Sequence, residues 1–363
     1  MGEINRAAVA DILIPKFAGF FYDNIRGHLP LLKAGFVDHS DELREQGESV
    51  KIAIPGEFNL NKQSVDANVN IQDASLSSDF LTLDNYFPLD FAVRDVAQTL
   101  TNEDLLKTFA DSAAMSYAKA VEKDFSNVFD SAYFACVGTV AVTNGSKAVA
   151  GTGTKFTTLR PGMTIKTAGA VVRIIEAITS DTAMTVTSNF LADETGVAYT
   201  ASNTVYYASN AKIGDASIRE ARTILSNNGV EEGSRVLVCN PDDYNDLLDD
   251  THYKDKDSIN AQVLREAALG RIRSFDTYES NNFQKTYSVG FNPTAVGVAF
   301  RAFKAVPGSM ADSKVIVDPV SKIPLRITLT WDRATRSVVV AIDLLYGIKL
   351  FRPKQVVKIY QAA

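Results

Sequence analysis

The sequence is short of the residues that carry metal and nucleophile chemistry: 363 residues include two cysteines and three histidines. Cys136 and Cys239 are too few for a disulfide framework. Both sit in apolar surroundings, AYFACVG and RVLVCNP, the setting of inert buried thiols. His28, His39 and His252 lie far apart, and no HExxH, GxSxG or CxxC occurs, so zinc sites and catalytic triads lack their parts. Long hydrophobic runs are missing too, so no segment reads as a transmembrane helix. The start, MGEINRAAVADILIPKF, lacks the basic-then-apolar layout of a signal peptide, and synthesis in the cytoplasm is the expectation. Basic clusters are absent as well. With a net charge of −6, a pI near 5.3 and dispersed Lys and Arg, the chain lacks the basic face that tight DNA binding requires.

What is present is an ordinary globular composition, 46% hydrophobic and 22% charged, long enough for two or three domains. RAAVADILIPKFAGFFYDNI predicts a short helix broken by Pro15, which removes an amide donor. Its aromatic cluster, Phe17, Phe20, Phe21 and Tyr22, needs a surface in this chain or in another subunit. From Gly47 to Val93 the pattern is extended: Val50, Ile52 and Ile54 alternate, a polar stretch follows, and FLTLDNYFPLDFAV alternates again. Two long strands with a polar tip make an extended hairpin, which is marginal in water without a neighbour.

TNEDLLKTFADSAAMSYAKAVEKDFSNVFDSAYF is the clearest helix. Thr101 or Asn102 caps it, and Glu103 and Asp104 suit its positive end. Leu105, Phe109, Ala113, Tyr117, Val121 and Phe125 step at four, and Val128 and Phe129 continue the stripe. Roughly thirty residues span about 45 Å, which suits a structural spine. A β module follows over 137–208. Val140 and Val142 lead into Asn144-Gly145, a hairpin signal. A second hairpin is expected around Thr179-Ser180-Asp181, and GVAYT with NTVYYA suggests a third. So many short strands predict a compact sandwich or barrel. Helix returns at Asp215 or Ser217, with Ile218, Ala221, Ile224 and Leu225 as its stripe and Gly229 as its stop. RVLVCN is an apolar strand. Near the end, Leu325, Ile327 and Leu329 oppose Val338, Val340 and Ile342 around DRATR.

Two stretches invite a chemical reading. Asp242, Asp243, Asp246, Asp249 and Asp250 lack the spacing of a calcium loop. A simpler account is a helix start, with Asn240 as cap, Pro241 in the first turn and acids at the positive end. Gly151 and Gly153 in GTGTK lie between β patterns, whereas a phosphate loop needs a strand before it and a helix after it. No catalytic, cofactor or metal site is assigned, and an enzyme has no positive support.

The order of elements resembles the major capsid proteins of tailed bacteriophages, a fold typified by a Hong Kong phage. RVLVCNPDDYNDLL looks like the strand and Pro-started helix of that family's axial domain. VLREAALGRIRSFDTYES resembles its usual continuation, and VVVAIDLLYGIKLFRPKQVVKI its closing segment. The resemblance implies an α+β capsid fold with an N-terminal arm (1–46) and an extended β-hairpin loop reaching over a neighbouring subunit (47–93). It further implies a peripheral domain with the spine helix (94–136 and 321–363) and an axial domain (209–320). The 137–208 module is similar to small β modules of phage virion proteins and is expected to be an inserted all-β domain, an Ig-like sandwich or small barrel. It would decorate the surface, bridge capsomers or merely help folding.

The implied partners are further copies of the chain, in hexamers and pentamers of a closed icosahedral shell. Scaffolding, portal and decoration proteins are the other candidates, with packaged DNA nearby and no membrane. The implied place is the virion, assembled in the bacterial host cytoplasm. No long charged helical segment precedes the arm, so a fused scaffold is not expected. The alternative is a virion adhesin or carbohydrate-binding protein. Its sugar site would need exposed aromatics, and the module and its exit hold few, Phe156, Phe190, Tyr199, Tyr206 and Tyr207.

Overall fold

The computed structural model describes residues 6–27, 35–40, 49–55, 76–94, 105–169, 171–207, 212–250, 253, 269–283, 285–306, 312–318 and 322–361. The elements begin with α1 (Arg6–Gly27), β1 (Val37–Asp38), β2 (Ser49–Pro55), β3 (Leu76–Thr82), β4 (Asn85–Arg94) and α2 (Leu105–Val128). Short strands follow: β5 (Phe134–Ala135), β6 (Thr139–Val142), β7 (Ala148–Thr152), β8 (Thr164–Lys166) and β9 (Val172–Ser180). After them come β10 (Ala183–Val186), β11 (Glu194–Val197), β12 (Thr200–Ser202) and β13 (Thr204–Tyr207). Next are α3 (Asp215–Asn227), β14 (Arg235–Cys239), α4 (Pro241–Asp249), β15 (Arg271–Ile272), β16 (Phe275–Glu279) and β17 (Tyr287–Phe291). The last are β18 (Val296–Arg301), β19 (Asp312–Val317), β20 (Pro324–Asp332), β21 (Ser337–Leu350) and β22 (Val356–Gln361).

The chain divides into two compact units. One holds Met1–Arg26, Asp38–Ala114 and Gly297–Phe351, the other Gly27–Val37, Met115–Val296 and Arg352–Ala363. Strand pairing follows this division. β18 and β19 join the sheet of β20 and β21, while β22 joins that of β14 and β17.

In the first unit a six-stranded sheet runs β1–β18–β21–β20–β19, with β4 also on β21. The expected terminal hairpin is there, with Ile327 opposite Ile342, Leu329 opposite Val340 and Trp331 opposite Val338. Asp332 ends the strand by accepting from Ala334 N (2.9 Å) and Thr335 Oγ1 (2.6 Å). The expected break at Pro15 does not occur, and α1 continues through it. Proline inside a helix costs about 3 kcal/mol. Against that, Ile14, Phe17, Ala18, Phe21, Tyr22 and Ile25 bury one face, at up to roughly 1.5–3 kcal/mol for each large side chain. Phe17 packs on Phe91 (centroids 6.1 Å), and Tyr22 OH donates to Ile316 O and Ile323 O (2.9 Å each).

The second expected strand of the extended hairpin is divided. β3 pairs with β2, whereas β4 leaves that ladder and pairs with β21 from Asn85–Tyr346 to Arg94–Ser337. Leu83 and Asp84 lie between, with Leu83 in the same core as Val50, Leu81 and Ala299. The tip, 56–75, lies outside the described residues, as do the proposed caps of α2.

In the second unit, α2 buries Tyr117, Ala118, Val121 and Phe125, and Phe129 follows in a short 3-10 turn. The expected all-β module is an antiparallel sheet of eight strands, β11–β6–β7–β10–β9–β8–β12–β5, folded around one core. β9 makes the fold possible: Val172–Ile174 pair with β8 and Ile175–Ser180 with β10. Core residues include Val140, Val149, Phe156, Ile165, Met184 and Phe190.

The first two expected hairpins form, β6–β7 and β9–β10. In the first, Gly145 has positive φ (74°), and Asn144 is instead held by Asp193 Oδ1 (2.7 Å). The third does not form: β11 pairs with β6, β12 with β8 and β5, and β13 leaves to pair parallel with β22. A tight turn would place Asn203 at a surface, but its side chain finds buried carbonyls elsewhere. β11 is an edge strand, with Gly196 at φ 66° and a register shift between Glu194 and Val197.

The other sheet runs β13–β22–β17–β14–β16–β15, with α3 against β13 and β22. α3 buries Ile218, Ala221, Ile224 and Leu225 as expected. Fully buried Arg235 donates to Glu231 O (3.1 Å), Arg222 O (3.3 Å), Ser226 Oγ (3.0 Å) and Val230 O, a cation at the negative end of α3.

One close approach in the first unit yields a test. A Cβ on Gly347 would lie 2.0 Å from Thr82 O. Gly347→Ala is expected to destabilise the protein by about 1–3 kcal/mol through overpacking, read as a lower denaturant midpoint with unchanged slope.

Candidate functional site

The residues that could have carried chemistry serve the fold instead. Asn240 Oδ1 accepts from Asp243 N (2.7 Å), with Pro241 in the first turn of α4. Asp243 is buried and accepts from Ser288 Oγ (2.5 Å) and Tyr207 OH (3.3 Å), and burial raises its pKa. Asp250 accepts from Asp215 N (2.8 Å) at the start of α3, and Asp246 and Asp249 hold Lys212 (3.0 and 3.3 Å). Asp215 itself binds Arg273 (2.7 Å) and Arg219 (3.1 Å), and the Arg273 bonds hold its pKa low. Among the described residues no group of His, Cys, Asp and Glu is arranged to hold a metal.

Burial pushes the thiols of Cys136 and Cys239 up to about 11 and about 12, so neither is a thiolate at neutral pH. His39 donates its backbone N–H to Val298 O (2.9 Å), and its ring packs edge-on to Phe351. His28 and His252 lie outside the described residues. In the GTGTK segment, a Cβ on Gly151 would lie 2.0 Å from Thr154 Oγ1, which donates to Asp181 O (2.6 Å). Gly153 turns the chain at φ 66°, so both glycines serve packing and turning rather than a phosphate. Phe156, Phe190 and Tyr199 are buried in the module core. Half-buried Tyr206 stacks on Tyr360 (centroids 5.4 Å), and half-buried Tyr207 donates to Asp243 (3.3 Å).

Two arrangements are left. The first is the β2–β3 hairpin of the first unit, which pairs with no third strand among the described residues. Its base is fixed by Val50, Leu81 and Leu83 against Ala299, with Ile52, Leu345 and Phe351 alongside. Lys349 Nζ bonds Asp79 Oδ1 (2.5 Å) and Phe80 O (2.9 Å). On this hairpin the Phe80 side chain is 50% exposed.

The second is a cluster in the second unit that the sequence did not reveal. Lys358, 2% exposed, places its ammonium over the rings of Tyr133 (4.9 Å) and Tyr287 (5.7 Å) and donates to Asp130 O (3.3 Å). Asp130 also binds Lys285 (2.6 Å) and Tyr287 OH (2.6 Å). Burial pushes Lys358 down to about 8, partly opposed by Asp130. Nearby on α2, Glu122 is fully buried and accepts from Ser280 Oγ (2.8 Å) and Asn282 Nδ2 (2.9 Å). Alternation and helical spacing assign no pairing between positions so distant in the chain.

The described residues form an α+β architecture of mixed sheets and few helices. Solved structures specify the class. Similar chains occur in the capsid of cyanophage P-SCSP1u (TM-score 0.54, 10% identity, 90% of this chain and 86% of that one). Another is in the mature capsid of bacteriophage PhiM1 (0.52, 9%, 91% and 86%). A third is in the capsid of Ralstonia phage GP4 (0.51, 12%, 89% and 86%). The fold is therefore the major capsid fold of tailed phages, as the resemblance implied. No family model matches the sequence, and no curated protein does.

The Lys358 cluster gives a pH dependence with a definite sign. Its folded pKa of about 8 lies below the unfolded lysine value near 10.4, so the unfolded chain binds more protons between them. The contribution of Lys358 to stability is expected to rise with pH from about 8 to about 10, read as the difference between the protein and Lys358→Met. Over the same range the buried thiols of Cys136 and Cys239 and the buried Tyr206, Tyr287 and Tyr360 act with the opposite sign, because burial holds their protons in the folded state while the unfolded groups ionise. Lys358→Met should remove the rise and raise stability at pH 7 by about 1–3 kcal/mol, measured by denaturant unfolding across pH.

Proposed function

We propose that this chain is the major capsid protein of a tailed phage, assembling into the icosahedral shell that encloses double-stranded DNA. The observation that carries the reading is the shared fold over about nine-tenths of the chain. The mechanism is assembly rather than turnover. Many copies bury strand edges and domain faces against one another, and weak contacts multiply through valency. The β2–β3 hairpin is the element that reaches a neighbouring subunit, because it pairs with no third strand among the described residues.

In this reading, residues 1–46 are the arm, 47–93 the extended loop, and 94–136 with 321–363 the peripheral domain. Residues 209–320 form the axial domain around five- and six-fold axes. The 137–208 module is an insertion that decorates the shell or bridges capsomers. The copies form hexamers and pentamers, with scaffolding, portal and decoration proteins as partners, in a virion assembled in the host cytoplasm. The acidic balance suits a wall that encloses DNA without gripping it.

Negative-stain electron microscopy of the purified chain, with light scattering for mass, tests the proposal. Closed shells, rings or curved sheets are expected, from the chain alone or on co-expression with a scaffold. Persistent monomers under both conditions overturn it, and glycan binding by those monomers would support the adhesin. Phe80→Ser separates assembly from folding. With half of the ring buried, the unfolding free energy should fall by about 1 kcal/mol, while shell formation falls sharply.

A further inference from the structure

Residues 134–202 meet the α/β sheet of the second unit along a seam, and the same strand pins the chain on both sides of the module. On the exit side, Ser202, Asn203 and Thr204 are 1%, 2% and 2% exposed. The Asn203 side-chain amide donates to Lys354 O (3.0 Å) and Val356 O (3.1 Å), and the Asn203 backbone carbonyl accepts from Lys358 N (3.0 Å). Thr204 Oγ1 donates back into the module, to Gly162 O (2.6 Å), while Thr204–Tyr207 pair in parallel with Lys358–Gln361. On the entry side, the Tyr133 ring lies between Lys358 Nζ (4.9 Å) and Lys166 Nζ (5.5 Å). Lys354 Nζ sits over the Phe134 ring (5.7 Å).

A hinged appendage has exposed polar linkers and few backbone bonds across its junction. This junction has a buried exit linker, a side-chain amide serving as backbone partner, and a buried ammonium against the aromatic ring of the entry strand's neighbour Tyr133. We propose that the eight-stranded module is joined rigidly to the α/β sheet through β22, so that the two move and unfold as a single body. The module is then a strut: a contact made on its outer surface loads β22 and its neighbours β13 and β17 directly. The lowered pKa of Lys358 accords with a junction closed to water. The coupling belongs to the folded chain and stands whether or not that chain forms a shell.

Native-state hydrogen exchange on the full-length protein, followed peptide by peptide across a denaturant series, tests this. The slowest amides of β7, β9 and β10 and those of β14, β17 and β22 should converge on one opening with the same denaturant dependence. Asn203→Ala should speed exchange in both sets by a common factor, on the order of tenfold for a lost buried hydrogen bond. If that variant does not fold, Thr204→Val, which keeps the side-chain volume, takes its place with the same expectation. A separate opening of β7, β9 and β10 at lower denaturant, or a variant effect confined to one set, overturns the proposal.

Discussion

β22 lies inside its sheet, parallel to β13 on one side and antiparallel to β17 on the other. An interior strand must satisfy its backbone on both edges, because an unpaired buried N–H or C=O costs about as much as a lost hydrogen bond. Val356, Val357 and Ile359 are almost fully buried, so their apolar contacts add to the same requirement. Without these residues β13 and β17 would face each other across a gap, and Asn203 would lose its buried carbonyl acceptor Val356 O. The second unit is therefore organised by a segment that arrives in the chain long after the strands it joins. Such pairing carries a large loop-closure entropy, which makes it a late event in folding.

Local patterns in the sequence were sufficient where an element's partner lies nearby. The stripe of α2, the stripe of α3 and the Asn240–Pro241 start of α4 all reflect interactions within a turn or two of helix. The β20–β21 hairpin was legible because Ile327, Leu329, Val340 and Ile342 face one another across a short turn. The discrepancies share a cause. Pro15 does not end α1 because the apolar face continues past it, and burial of aromatics outweighs the lost bond. The strand expected at 80–93 divides at Leu83–Asp84 because two partners compete for it, one near and one some 250 residues away.

The residues weighed for chemistry in the sequence are held by local contacts. Cys136, Cys239, the acid run and the glycines of GTGTK each took the structural role that their neighbours suggested. The Lys358 cluster was invisible by the same logic. It joins Tyr133, Asp130, Tyr287 and Lys358 from three separate stretches of chain, and no periodicity connects them. A lone lysine in an apolar strand signals strain in the pattern without saying what relieves it.

The edge of the eight-stranded sheet has a consequence for crowding. β11 spans four residues, carries Gly196 in a left-handed conformation and slips register against β6, while the opposite edge, β5, spans two. Neither presents a straight ladder that another polypeptide could extend. At the local concentrations reached when many identical molecules gather, sheets with open edges tend to fuse into fibres. This module can be packed densely beside its own copies while staying deaf to them along its edges, leaving the choice of contact to its faces and loops.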